Sequence, residues 1–227
     1  MKRIFEIIWY RFKLLLSDLL FFPLTKHTVF CEVHGNPGAN WWIPKNILKK
    51  NDVCYSGGVG EDISFDLALL KKYSVSIFAY DPTPRSIKYI KKTITKKFST
   101  FHFLPYGLWK SNTKQRFYIP KDIKMVSHSI VNLQKTNDYF IAECKTLKSI
   151  MKQLGHTKID LLKIDIEGAE YTVLEKMLLD KIFPKILCIE FDQPTSVFKI
   201  LSMVKKLFSF QYILVKKDYY NFTFLRT

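Results

Sequence analysis

Between Lys158 and Glu170 the chain sets Lys163, Asp165, Glu167 and Glu170 within a few residues of one another. Carboxylates grouped in this way can take a proton from a hydroxyl, clamp a hydroxylated molecule, or hold Mg2+, which prefers carboxylate and water oxygens. Glu190 and Asp192 end a second apolar run, and His128 stands in Ser127-His128-Ser129. Asp165, Glu190 and His128 are the candidates for proton removal, since imidazole exchanges a proton near neutral pH. Lys163, Glu167 and Asp192 are expected on the acceptor side. Lys163 is also expected to pair with an acid, because a lone ammonium at a buried strand end is costly. Glu167 and Glu170 suit a plainer role too, complementing the dipole of a helix that begins there. His27, His34, His102 and His156 carry no such pattern.

These residues need elements to bring them together. Ile159, Leu161, Leu162 and Ile164 form a short β-prone run, followed by Ala169, Val173, Leu174, Met177 and Leu178 at helical spacing. Strand and helix signals alternate from Asn51. Strands are expected over Val53–Tyr55, Val75–Tyr80, Phe101–Leu104, Ile159–Ile164 and Ile186–Phe191. Helices are expected over Ile63–Tyr73, Ser86–Lys97, Leu147–Leu154, Ala169–Leu179 and Thr195–Phe208. Gly107 to Phe140 reads as polar and partly extended. The chain closes with Tyr212–Lys216 and Tyr219–Leu225, joined by a tight turn at Lys217-Asp218 and so antiparallel. The result is a mostly parallel α/β sheet with helices on both faces and a C-terminal antiparallel strand. Ligands of such sheets bind beyond the carboxyl ends of the strands, where Asp165, Glu190 and Asp192 fall.

A second constellation lies upstream. Ser56-Gly57-Gly58-Val59-Gly60 follows the first of these strands, and its glycines permit a tight turn and close approach to a ligand. Asp81 ends the next strand about twenty residues later, where an acid that binds ribose hydroxyls is expected. The loop lacks the Gly-Lys-Ser/Thr of a Walker A motif and the full Gly-x-Gly-x-x-Gly of a dinucleotide fold. A turn plus a ribose-binding acid suits a ligand without pyrophosphate, such as S-adenosyl-L-methionine.

Three blocks together resemble the FkbM-type methyltransferases: Val53 to Asp66, Tyr80-Asp81-Pro82-Thr83-Pro84, and Leu162-Lys163-Ile164-Asp165-Ile166-Glu167-Gly168-Ala169-Glu170-Tyr171. Their order and spacing match over roughly Asn51 to Gln193. The resemblance implies a Rossmann-like class I methyltransferase fold, S-adenosyl-L-methionine as donor, and methylation of a hydroxyl, often on a sugar. By position it implies Gly58 and Gly60 under the cofactor's methionine part, Ser56 and Gly57 also at the cofactor, and Asp81 on its ribose. Tyr106, Gly107 and Leu108 would lie near the adenine, and Asp165 at the active-site edge. Cys54 and Ser56 depart from the pattern, standing where many class I enzymes have an acid and a further glycine. That makes Glu61 a candidate anchor. Mg2+ is an expectation by fold-level analogy alone.

Size and composition fit one domain, residues 51–227, preceded by a segment over 1–50 made of an amphipathic helix and an irregular lid from Phe30 to Lys50. Lysine and arginine number 36 against 20 acids, a formal charge of +16. Such a field draws nucleic acid, anionic lipid or phosphorylated molecules without choosing among them. Four scattered cysteines argue against a zinc site or disulfide framework and for a reducing, cytoplasmic setting.

Met1 to Leu24 is broken by charges, which makes it a poor membrane span, and it lacks a signal-peptide cleavage pattern. As a helix it gathers Ile4, Ile8, Phe12, Leu15, Leu16 and Leu19 on one face, with Lys2, Glu6, Lys13 and Ser17 opposite. The apolar face is expected to pack on the body or in a homodimer, with peripheral membrane contact through residues 1–24 as the alternative. An RNA methyltransferase and a non-catalytic scaffold are the rival functions. Against the first, the chain shows no RNA-binding module.

Overall fold

A computed structural model describes residues 2–94, 98–122, 127–191 and 194–227, with side chains from residue 7 onward. The chain begins with α1 (Lys2–Phe21), a short 3-10 turn (Phe22–Leu24), and a hairpin of β1 (Cys31–His34) and β2 (Trp41–Pro44). Then come β3 (Val53–Gly57), α2 (Ser64–Tyr73), β4 (Ser76–Tyr80), α3 (Pro84–Thr93) and β5 (Phe101–Leu104). β6 (Gly107–Leu108), β7 (Thr113–Tyr118) and β8 (Tyr139–Lys145) follow, then α4 (Leu147–Leu154), β9 (Leu161–Ile164) and α5 (Glu170–Leu179). The chain ends with β10 (Ile186–Glu190), α6 (Val197–Ser209), β11 (Tyr212–Asp218) and β12 (Asn221–Arg226).

Among the described residues the main sheet has seven strands, in the order β11-β12-β10-β9-β3-β4-β5. Every pair from β10 to β5 is parallel, and β12 is antiparallel to both of its neighbours. The chain builds outward from β3 to β5, then returns to lay β9 against the other side of β3. That reversal opens a crevice between the carboxyl ends of β3 and β9, where Gly57 pairs with Ile164.

Period-two alternation gives the sheet two apolar faces. Tyr55, Leu162, Leu187 and Phe224 enter one core, while Cys54, Leu161, Ile186 and Cys188 enter the other. Helix signals in the sequence reflect local chemistry: Thr83 and Thr146 cap α3 and α4 by accepting from the backbone N–H of Ser86 and Ser149. Gly155 ends α4 in the left-handed region.

The structure corrects several boundaries. α3 starts two residues before the expected Ser86 because Pro84 suits the first helical turn, and it stops at Thr93. The remainder of its expected span, residues 95–97, lies outside the described residues. The closing turn falls at Tyr219-Tyr220, with Tyr219 at φ 51°, so β11 runs on through Asp218. The segment expected to be irregular carries the β1–β2 hairpin, and the polar region after Gly107 carries a second sheet of order β6-β8-β7.

α1 is corrected in one of its expected placements, the packing of its apolar face on the body. Its expected packing face is turned outward: Ile8, Phe12, Leu15 and Leu19 are 60%, 53%, 59% and 66% exposed. Ser17 and Phe21 are buried instead, and Lys13 reaches the carbonyl of Thr195 at 3.5 Å. The small Ser17 lets the helix approach the body, and Phe21 packs edge-on against Phe222 at 4.9 Å. The side chains of Lys2, Ile4 and Glu6 lie outside the described part.

Candidate active site

At the reversal point the backbone leaves β3 through Gly58 at φ 75°. A side chain there is ruled out by space as well as by conformation, since a Cβ would lie 1.6 Å from the carbonyl oxygen of Asp165. The turn is pinned from three sides. Gly58 N–H donates to Tyr80 O at 2.9 Å, Lys163 Nζ donates to Gly58 O at 2.7 Å, and Gly60 N–H donates to Asp81 Oδ2 at 3.0 Å. Asp81 Oδ1 also accepts from Thr83 N–H at 2.8 Å. Asp81 thus couples the glycine turn to the end of β4 while lining the cleft.

Across the crevice, Asp165 follows β9 and its N–H donates to Gly57 O at 3.2 Å. The turn after it is held by Glu170, a wholly buried side chain whose Oε1 accepts from Ile166 N–H at 3.1 Å and Gly168 N–H at 2.9 Å. This geometry explains the glycine-acid spacing of the block. Glu170 organises the backbone, and Glu167 adopts a left-handed φ of 57°, uncommon for a residue with a side chain.

Lys163 is the electrostatic centre. It is 6% exposed and its ammonium lies 3.1 Å from Asp165 Oδ2 and 5.6 Å from the centre of the Trp41 ring. Burial works against its charge, yet the fields of Asp165, Asp66 and Glu190 hold it above the usual lysine range. Asp66, on the buried face of α2, is pushed up to about 6 by burial, against the pull of Lys163.

The resulting cleft is open to solvent and has a volume of about 220 Å³. Gly58, Gly60, Glu61 and Asp81 line one wall, and Gly107 and Leu108 line another. Lys163, Asp165, Glu167, Glu190 and His128 meet at the same cavity. Glu61 also pairs with Arg85 at the start of α3.

Three predicted residues lie behind the cleft. Ser56 is buried within β3 beside Lys163 in register, Gly57 backs onto Leu108, and Tyr106 packs in the core against Tyr80 at 5.8 Å. Asp192 lies outside the described residues. His27, His34, His102 and His156 are not part of the lining.

The cleft also holds residues that spacing did not point to: Trp41, Asp66, Phe117 and Asn221. Asp66 left one signal, an acid at a helical position between the apolar Phe65 and Leu69. Phe117 and Asn221 come from the second sheet and the inserted strand, and only tertiary structure brings them in. No three His, Cys, Asp or Glu side chains gather as metal ligands among the described residues, so the Mg2+ expectation finds no support there.

Residues 52–214 match the methyltransferase FkbM domain family. The chain belongs to that family. It is similar to a probable methyltransferase-like protein 24 of Rattus norvegicus, at 26% identity over 77% of this chain and 42% of that protein. The Homo sapiens protein of the same name is 33% identical over 63% of this chain and 33% of its own length. A solved methyltransferase FkbM from Methylobacillus flagellatus KT aligns with a TM-score of 0.49 and 12% identity, over 77% of this chain and 43% of that one. The chain therefore spans less than half the length of each of these proteins. As an FkbM-family member it falls among the methyltransferases, and its strand order, with one antiparallel strand inserted beside the last parallel one, bears out the expected α/β architecture.

Proposed function

We propose that this FkbM-family chain is an S-adenosyl-L-methionine-dependent O-methyltransferase acting on a hydroxyl of a sugar, glycan or related small molecule. The observation that carries the reading is the charge of the cleft. In a chain of formal charge +16, the cavity is lined by Glu61, Asp62, Asp66, Asp81, Asp165, Glu167 and Glu190, with Lys163 as the basic lysine or arginine among the described lining residues. A lining of this sign favours a cationic cofactor and a neutral, hydroxyl-rich acceptor. It disfavours a polyanionic nucleic acid, whose phosphates would meet carboxylates.

The residues present fit the cofactor. Gly58 and Gly60 bring the glycine turn to the edge of the cleft, and Asp81, fixed by two backbone donors, lines it beside them. When bound, S-adenosyl-L-methionine supplies a methyl group on a sulfonium centre. Methylation of a hydroxyl then asks the protein for in-line placement and removal of one proton. His128 is the residue suited to take that proton. Asp165, fixed by Lys163, accepts a hydrogen bond from the acceptor hydroxyl and orients it, and Glu167 and Glu190 hold neighbouring hydroxyls.

The test supplies S-adenosyl-L-methionine with a labelled methyl group to the purified chain, together with panels of sugars, glycans and short RNAs. The expected product is an alkali-stable methyl ether on a sugar hydroxyl, formed about 10²- to 10⁴-fold more slowly by His128→Ala. Label appearing on RNA, or on no acceptor while the cofactor binds, would overturn the acceptor assignment.

A further inference from the structure

We infer that α1 docks this chain on an anionic bilayer surface, with its apolar outer face in the lipid interface. The helix is held to the body along one side only. Tyr10 meets Tyr220 edge-on at 6.0 Å, Ser17 and Phe21 are buried, and Lys217 pairs with Asp18 at 2.5 Å. The opposite side shows Ile8, Phe12, Leu15 and Leu19 to solvent, and Phe22 continues the stripe at 68% exposure. Phe198 on α6, the helix against which α1 packs, is 67% exposed as well. Apolar surface gathered along one helix edge marks an interaction face, whereas scattered exposed side chains would not.

Charge selects the occupant. Arg11 on α1 and Lys26 just after it are exposed, as are Lys199 and Lys205 on α6, the helix packed against α1. The sequence adds Lys2 and Arg3, against one acid, Glu6, at the start of the helix. Asp18, the acid on α1 with a described side chain, is neutralised by Lys217. A greasy stripe bordered by cations, with Trp9 half exposed beside it, matches acyl chains under phosphate headgroups. A second copy of this chain would bring the same cations against themselves. Among the described residues no helix is long and apolar enough to cross a membrane, so the helix lies in the interface plane. The docking also has a consequence for the cleft. Tyr10 touches Tyr220, and Lys13 reaches Thr195, so α1 runs beside the carboxyl end of β10, the end that carries Glu190.

Sedimentation of the full chain with vesicles tests this, using pure phosphatidylcholine and phosphatidylcholine mixed with phosphatidylserine. The altered form is the Phe12→Glu/Leu19→Glu double variant. Both side chains face solvent, so its melting temperature should match the wild type, and a melting curve checks that. The expected result is binding to the anionic vesicles that weakens with added salt and drops on the order of a hundredfold in the double variant. Failure of the wild type to bind, or equal binding by a folded double variant, would overturn the inference. So would wild-type self-association in solution, lost in the variant, without vesicle binding; that result would assign the face to a second copy.

Discussion

Gly58→Ala is the sharpest structural perturbation available. The added Cβ would sit 1.6 Å from the carbonyl oxygen of Asp165, a backbone atom that cannot rotate away. The turn and the end of β9 would have to separate by more than an ångström. Separation breaks or stretches the Lys163 Nζ to Gly58 O bond at 2.7 Å, the Gly58 N–H to Tyr80 O bond at 2.9 Å and the Asp165 N–H to Gly57 O bond at 3.2 Å. Two or three lost hydrogen bonds at about 1 kcal/mol each, plus about 1 kcal/mol for a side chain at positive φ, give a loss of about 3–4 kcal/mol. In a domain of this size that lowers Tm by roughly 6–16 °C. Gly155→Ala is the control: φ is 72° but no atom lies within 4 Å of its Cβ, so only the conformational cost of about 1 kcal/mol applies. Urea unfolding followed by circular dichroism measures both. Equal, small losses for the two variants would refute the contact between the glycine turn and Asp165.

Two further outcomes follow from the buried charges. Asp66 has a folded value of about 6 against an ordinary 3.8, so between those values the folded state binds more protons than the unfolded one. Its contribution to stability therefore increases as pH falls through that window and is lost as pH rises through about 6, and Asp66→Asn should remove a term of up to about 3 kcal/mol from the measured pH profile. An unchanged profile would mean that Asp66 is not buried as a carboxyl. Lys163→Met strips the counter-charge from Asp66 and Asp165 and the donor from Gly58 O, and should destabilise by about 3–5 kcal/mol. Adding Asp66→Asn should recover part of that loss, and strict additivity of the two changes in denaturant unfolding would contradict the coupling.

The sequence made the parallel core readable because its strands are buried on both sides. Leu161, Leu162 and Ile164, interrupted by Lys163, and the run Ile186 to Ile189 are short and apolar, and the residue that follows each is an acid in the cleft. The glycine turn and Asp81 were readable for the same reason, since both sit at strand ends whose positions the hydrophobic pattern fixes.

What escaped the sequence depended on partners far along the chain. Helical spacing in α1 identified an apolar face, but periodicity carries no sign that says which face meets the body. Ser17 is small, and Phe21 finds Phe222 two hundred residues later; those contacts decided it. Phe117 reaches the cleft through a strand of mostly exposed residues, in a region that reads from the sequence only as polar and partly extended. Tyr106 shows the converse: it stands next to the lining residue Gly107 but precedes β6, and its ring packs in the core beside Tyr80.

The cleft between Gly58, Asp81 and Asp165 is the proposed site of S-adenosyl-L-methionine. Isothermal titration of the purified chain with that cofactor and with S-adenosylhomocysteine tests it directly, alongside Asp81→Asn, which keeps the shape of the side chain and removes its charge. The account predicts micromolar binding by the wild type, weakened about 10- to 100-fold in Asp81→Asn with the fold retained. A folded wild type that binds neither molecule, or a variant that binds both unchanged, would contradict it.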